Sequence, residues 1–112
     1  MRSMFKDVRE FNQDIGNWNT SDVIDMSFMF SGAQLFNNNS QPLNKKTVTI
    51  AGNTYTAWDT SRVKAMSFMF FGANVFTQDL STWSSCGLSG KIVPSNMFNS
   101  GYPPAKKPSC PP

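Results

Sequence analysis

The chain of 112 residues contains no histidine, and its only glutamate is Glu10. The missing histidine removes Ser-His-Asp triads, imidazole acid–base chemistry and histidine-ligated metals together. Its two cysteines, Cys86 and Cys110, lack the C-x₂-C spacing of a zinc site. Single scattered glycines match neither a P-loop nor a dinucleotide fingerprint. No nucleophile has a base beside it, so the expectation is a non-enzymatic protein with no catalytic residue, no cofactor and no metal. No apolar run approaches the roughly 20 residues that a transmembrane segment needs. Met1 to Asp7 lacks the apolar stretch of a secretory signal. Leucine is scarce as well: four residues, Leu35, Leu43, Leu80 and Leu88, stand against 10 Phe, 7 Met and 3 Trp. Large rings and flexible thioethers must therefore do most of the burying.

Charge of one sign is missing from only one part of the chain. Residues 1–79 carry seven basic and seven acidic side chains, whereas 80–112 add Lys91, Lys106 and Lys107 with no acid. The net charge of +3 thus belongs to the C-terminal part. A nucleic-acid binder of this size needs a denser basic stripe, so no nucleic acid is expected as a partner.

The chain also repeats itself. Trp18 to Phe36 (W-N-T-S-D-V-I-D-M-S-F-M-F-S-G-A-Q-L-F) and Trp58 to Phe76 (W-D-T-S-R-V-K-A-M-S-F-M-F-F-G-A-N-V-F) agree at twelve of nineteen positions. F-N-Q-D-I-G-N-W from Phe11 returns as F-T-Q-D-L-S-T-W from Phe76, which defines a unit of 25 residues. That period lies in the leucine-rich-repeat range. The pattern W-x-T-S-x-V-x-x-M-S-x-M-F-x-G-A-x-x-F resembles the BspA-like subgroup of leucine-rich-repeat surface proteins, closely over Met4–Phe36 and Trp58–Trp83. The resemblance implies an α/β repeat: a short leucine-rich-repeat-like solenoid of small parallel strands and short helical turns. It also implies adhesion or protein binding in an extracellular or cell-surface setting.

The residues read by themselves predict a similar coil. Alternation puts Phe11, Gln13 and Ile15 on one face of a half-buried strand. Thr20-Ser21 and Thr60-Ser61 are placed to cap the turn that follows them. Val23, Met26, Phe30 and Ala33, matched by Val63, Met66, Phe70 and Ala73, fall on one helical face. Gly32 and Gly72 permit a tight return. Stacked coils would bring Trp18, Trp58 and Trp83 into one column and Phe11, Phe36 and Phe76 into another.

Three departures interrupt the pattern. Between Phe36 and Trp58 about fifteen residues are inserted, within about 40–57. There Thr47–Ala51 and Thr54–Trp58 flank Gly52-Asn53 as a hairpin pairing Ile50 with Tyr55, Thr49 with Thr56 and Val48 with Ala57. This hairpin is either a tolerated outgrowth or a partner contact through Lys45, Lys46 and Tyr55. At the N-terminus the sequence enters in mid-coil, so either further repeats precede it or a neighbouring subunit covers that end. After Trp83 the motif loosens, and five of the seven prolines fall in the last ten residues. That tail is expected to be extended, polyproline-like or disordered, a linker or a segment ordered by docking. Cys86 and Cys110 are either two free thiols or a disulfide pinning the tail to the last coil.

Asp14 and Asp79 are equivalent outward positions. Two carboxylates on separate coils make a poor calcium cage, and turn hydrogen bonding is the preferred role. Gln13, Asn38 and Gln78 are candidates for a stacked amide ladder. The sequons at Asn19 and Asn38 would matter only in a secreted eukaryotic chain.

The expected organisation is therefore one elongated solenoid domain of about three coils over 1–102, carrying the inserted hairpin, with a Pro-rich tail over 103–112. Its expected function is that of a repeat scaffold for protein–protein interaction, with a structural accessory subunit of a larger assembly as the alternative. The expected partner surface comprises Asn12, Asp14, Asn37, Asn39, Thr77 and Asp79, with Lys45, Lys46 and Tyr55 on the hairpin beside it.

Overall fold

Two periodicities compete in the repeat, and the backbone adopts neither. The computed structural model describes residues 1–111; Pro112, the last residue of the expected tail, lies outside the described residues. In the second repeat unit the N–H groups of Met29, Ser31 and Ala33 turn back three residues, donating to the carbonyls of Met26, Phe28 and Phe30 at 3.0–3.2 Å. Those between them, on Met26, Phe28, Phe30 and Gly32, donate across to Ala65, Ser67, Met69 and Phe71 of the next unit at 2.8–2.9 Å. The first unit does the same, with Ser3, Phe5 and Asp7 donating to Ser27, Met29 and Ser31. Every second donor closes a local turn and the rest join neighbouring units, so buried backbone groups are paired without helix or sheet.

The expected solenoid of parallel strands and helical turns therefore does not form. The only strands among the described residues are β1 (Lys46–Ile50) and β2 (Asn53–Ala57), which are antiparallel. Parallel pairing among the described residues is confined to the single bridges of Asp25 with Ala65 and Ser84 with Ser109. Helical structure among the described residues is limited to 3₁₀ turns at Asn38–Ser40, Ser89–Lys91, Ser95–Met97 and Pro104–Lys106. Positive φ explains why the 3-4-3 spacing fails to make a helix. Phe28 and Phe68 lie at φ 61° and 58°, and Gly32 and Gly72 at 74° and 86°, so a left-handed residue interrupts the turn every fourth position. The predicted strand Phe11–Ile15 is irregular: Gln13, expected on the buried face, is exposed, and Asn12 is partly buried.

The molecule is not elongated either. Its Cα radius of gyration is 13.2 Å, with extents of 40 × 34 × 23 Å. A compact domain of this length has a radius of about 13 Å.

The core is a ladder of aromatic rings. One rail runs Phe5, Phe30, Phe70 and Phe98 with centroids 5.3–5.6 Å apart. The other runs Phe11, Phe36, Phe76 and Tyr102 at 5.5–6.3 Å. Each rung is a near-parallel pair at 3.9–4.2 Å, for example Phe30 on Phe36. Met26, Met29, Met66, Met69 and Met97 fill the space beside the rings and are buried. The tryptophan column is shorter than expected. Trp58 and Trp83 stack at 4.9 Å, each indole donating to a carbonyl (Ile15 and Leu43), while Trp18 is only half-buried and tilts against Phe5 at 5.9 Å.

The hairpin is present in a different register. Val48 opposes Tyr55, Thr47 opposes Thr56 and Thr49 opposes Thr54, so the two-residue turn is Ala51-Gly52 rather than Gly52-Asn53. Ala51 and Gly52 both have positive φ, 51° and 82°, as a type I′ turn requires. The shift of two residues keeps every side chain on its face, and it brings the Thr49 and Thr54 hydroxyls to 3.0 Å.

Residues 103–111 lie along the segment 78–86. Leu80 donates to the carbonyl of Lys106, Ser85 donates to that of Ser109, and Ser109 donates to that of Trp83. Cys86 and Cys110 are joined by a disulfide with a Cα separation of 4.9 Å.

Candidate functional site

Side chains that share an offset in successive units meet each other across the stack, and this decides what the expected partner surface can do. Asn12 Oδ1 accepts from the backbone N–H groups of Asn37 (2.8 Å) and Asn39 (2.9 Å). Asn37 repeats the act one unit on: its Oδ1 accepts from Thr77 N–H at 3.0 Å, and its Nδ2 donates to Thr77 Oγ1 at 3.2 Å. Gln78 Nε2 donates to the Asn37 carbonyl, and Lys106 Nζ donates to that of Thr77. Asn12, Asn37, Asn39 and Thr77 are thus brought together in a polar ladder in which the Asn12 and Asn37 side-chain oxygens are taken up by backbone N–H groups, while Asn39 and Thr77 stay exposed.

Asp14 and Asp79 each close a local turn, accepting from the N–H of Gly16 and Ser81 at 2.9 Å. The Ser81 N–H holds the Asp79 carboxyl below its usual range, with help from the Ser81 hydroxyl and the Lys106 ammonium. Hydrogen bonds from Ser61 and Ser27 lower Asp59 and Asp25 in the same way. The Thr-Ser pairs act differently from the expectation. Asn19 and Asp59 side chains cap Ser21 and Ser61, while the Thr60 hydroxyl exchanges two hydrogen bonds with Ser84 of the following unit at 2.8 and 2.9 Å.

The expected amide ladder of Gln13, Asn38 and Gln78 is replaced by other partners. Gln13 is exposed. Asn38 is fully buried and central: it accepts from Ile15 N–H at 2.7 Å and donates to Asp14 Oδ1 and to the carbonyls of Gln41 and Pro42. Its left-handed φ of 51°, followed by 53° at Asn39 and 59° at Ser40, swings the chain out toward the hairpin. Asparagine tolerates that geometry. The hairpin residues are tied to the body as well. Lys45 N–H donates to Thr82 Oγ1 at 2.9 Å and the Tyr55 hydroxyl donates to the Asn17 carbonyl, whereas Lys46 pairs only within the hairpin, opposite Ala57.

A second surface escaped the sequence reading. Phe28 and Phe68, at the same offset in two units, stack outside the ladder at 5.0 Å, and Phe71, about half exposed, meets Phe68 edge-on at 5.6 Å. Arg2 and Lys6 sit over the Phe28 ring at 5.8 and 5.3 Å. The motif S-F-M-F recurs in the sequence, and at 3.6 residues per turn Phe28 lies about 200° from Phe30, off the expected apolar face, so its outward direction was the one available signal of this surface.

Among the described residues, no group of three or more His, Cys, Asp or Glu is placed to hold a metal, and no helix is long and apolar enough to cross a membrane. The model of a family described as Mycoplasma protein of unknown function, DUF285, matches the chain twice, over residues 1–57 and 52–101. No curated protein and no solved structure matches it.

Proposed function

This chain belongs to the DUF285 family, a repeat family, and we propose that it is a non-enzymatic recognition module that binds other proteins at a cell surface. The observation that carries the reading is the outward aromatic cluster of Phe28, Phe68 and Phe71 with Arg2 and Lys6. Rings and arginine held on a rigid frame are the side chains that anchor protein interfaces. Holding Phe28 and Phe68 at positive φ costs about 1–3 kcal/mol each, so their outward presentation is maintained against the backbone's own preference. The likeness of the repeat to BspA-like leucine-rich-repeat surface proteins supports the surface setting and an adhesive role. Asn12, Asn37 and Thr77 support the frame in this reading, and Lys45, Lys46 and Tyr55 form a secondary contact.

The test compares capture of surface-extract proteins by the native chain and by a Phe28→Ser, Phe68→Ser, Phe71→Ser variant. Capture lost in the variant while the Trp58 and Trp83 emission is retained supports the proposal. Equal capture by both proteins refutes it. A second reading, a structural accessory subunit, draws on Met4, Val8 and Leu35, which are about half exposed. Insolubility of the chain without a co-expressed partner distinguishes that case.

A further inference from the structure

The fourth rung of the ring ladder is built from a shorter loop than the other three. Phe5 and Phe11, Phe30 and Phe36, and Phe70 and Phe76 are each six residues apart, whereas Phe98 and Tyr102 are four apart. Gly101, at φ 92°, makes the tighter turn possible. The loop is two residues short, and beside it lies an open cavity of about 270 Å³ whose walls include Phe70, Phe76, Phe98 and Tyr102, with Asn99 and Lys106 among its polar lining. Lys106 Nζ gives one hydrogen bond, to the Thr77 carbonyl. An ammonium has three N–H donors, so two remain for a ligand. Asn99 Oδ1 accepts from Gly72 N–H, which leaves its Nδ2 as a second donor. The cavity therefore combines aromatic walls with an ammonium and an amide donor. Asp79, the carboxylate in the field of Lys106, is turned to Ser81.

We infer that this cavity is a binding site for an aromatic ring carrying a carboxylate, the ring lodged against the last two rungs and the carboxylate on Lys106 and Asn99. The inference does not rest on the recognition surface, since none of Arg2, Lys6, Phe28, Phe68 and Phe71 lines the cavity. The ligand chemistry has two sources, a free aryl acid or the C-terminal aromatic residue of a peptide.

An amide-resolved NMR titration of the full chain tests it with three probes: 3-phenylpropionate, 3-phenylpropionamide, and a tetrapeptide ending in phenylalanine with a free C-terminus. Saturable shifts are expected at Asn74, Asn99, Gly101 and Lys106. An exposed charge contact of this type makes the acid bind about 5-fold more tightly than the amide. Lys106→Gln keeps a donor for Thr77 and is expected to erase that preference without weakening the amide. Ser100→Phe, which fills the rim, is expected to abolish both. Tighter binding of the peptide than of phenylpropionate assigns the site to chain termini, and weaker or equal binding assigns it to free aryl acids. Absence of saturable shifts at millimolar probe, or equal binding of acid and amide to the native chain, overturns the inference.

Discussion

At the scale of single residues, backbone sign is the recurring constraint. Ala51 holds the first turn position of the hairpin at φ 51°, a conformation that costs alanine more than asparagine. Ala51→Asn is therefore expected to raise stability by about 0.5–1 kcal/mol, read as a higher urea midpoint with an unchanged slope. Asn38→Ala acts in the opposite direction. It strands the buried Ile15 N–H and removes the partner of the part-buried Gln41 and Pro42 carbonyls, a loss of about 2–3 kcal/mol, whereas Asn39→Gly, exposed and left-handed next door, is expected to be nearly neutral. The carboxylates make stability depend on acid. Asp25, Asp59 and Asp79 have folded values below their unfolded ones, so their contribution is complete above the unfolded range near 4 and disappears as pH falls through the folded values. Tyr102 has the opposite sign, because burial pushes its phenol well above 10. Its contribution is complete below about 10 and is lost at higher pH. Melts across pH should show both limbs, and Tyr102→Phe should flatten the alkaline one.

At the scale of elements, the ring ladder replaces the strand as the unit of construction. Phe70 has neighbours above, below and beside it, whereas Phe5, on the first rung, is only partly buried. Phe70→Ala should cost about 3–5 kcal/mol and Phe5→Ala clearly less, a difference that denaturant titration measures directly. Much of this ladder was legible beforehand. The 25-residue period put Phe11, Phe36 and Phe76 in one column, and Thr-rich runs around a glycine marked the hairpin. The second rail was hidden because Val23, Met26, Phe30 and Ala33 fit a helical face equally well. Only the positive φ at Phe28 and Gly32 decides against a helix, and a phenylalanine is a poor advertisement for a left-handed site. Hairpin register failed for a related reason: Gly52-Asn53 carries a familiar turn composition, but Ala51-Gly52 allows the Thr49 and Thr54 hydroxyls to meet. The pairing of Asn12 with Asn37 and of Asn37 with Thr77 across units could not be read from residue types that serve ligands and backbone alike.

At the scale of the whole molecule, the last segment is fastened covalently. The Cys86–Cys110 bridge closes a separation of 24 residues and is worth about 3 kcal/mol in the loop-entropy model. Reductant is therefore expected to lower the unfolding midpoint and to expose the amides of Leu80 and Ser85 to hydrogen exchange, since their acceptors are the carbonyls of Lys106 and Ser109. Retained protection at these amides would mean that the hydrogen bonds alone hold the tail. The donor pattern between units reaches further than stability. From Ser3 to Gly32 the cross-unit N–H groups described above point the same way, toward later units, and the carbonyls that receive them point back. Peptide dipoles of about 3.5 D add along that direction, reduced by Leu35, Trp58 and Lys64, whose N–H groups donate back to Arg9, Trp18 and Ile24. Their negative pole falls at the first unit, beside Arg2 and Lys6, and their positive pole falls toward the part of the chain that carries Lys91, Lys106 and Lys107 without an acid. Backbone and side chains thus reinforce each other at one end and offset each other at the other, so that in front of an anionic surface the molecule turns its tail end forward.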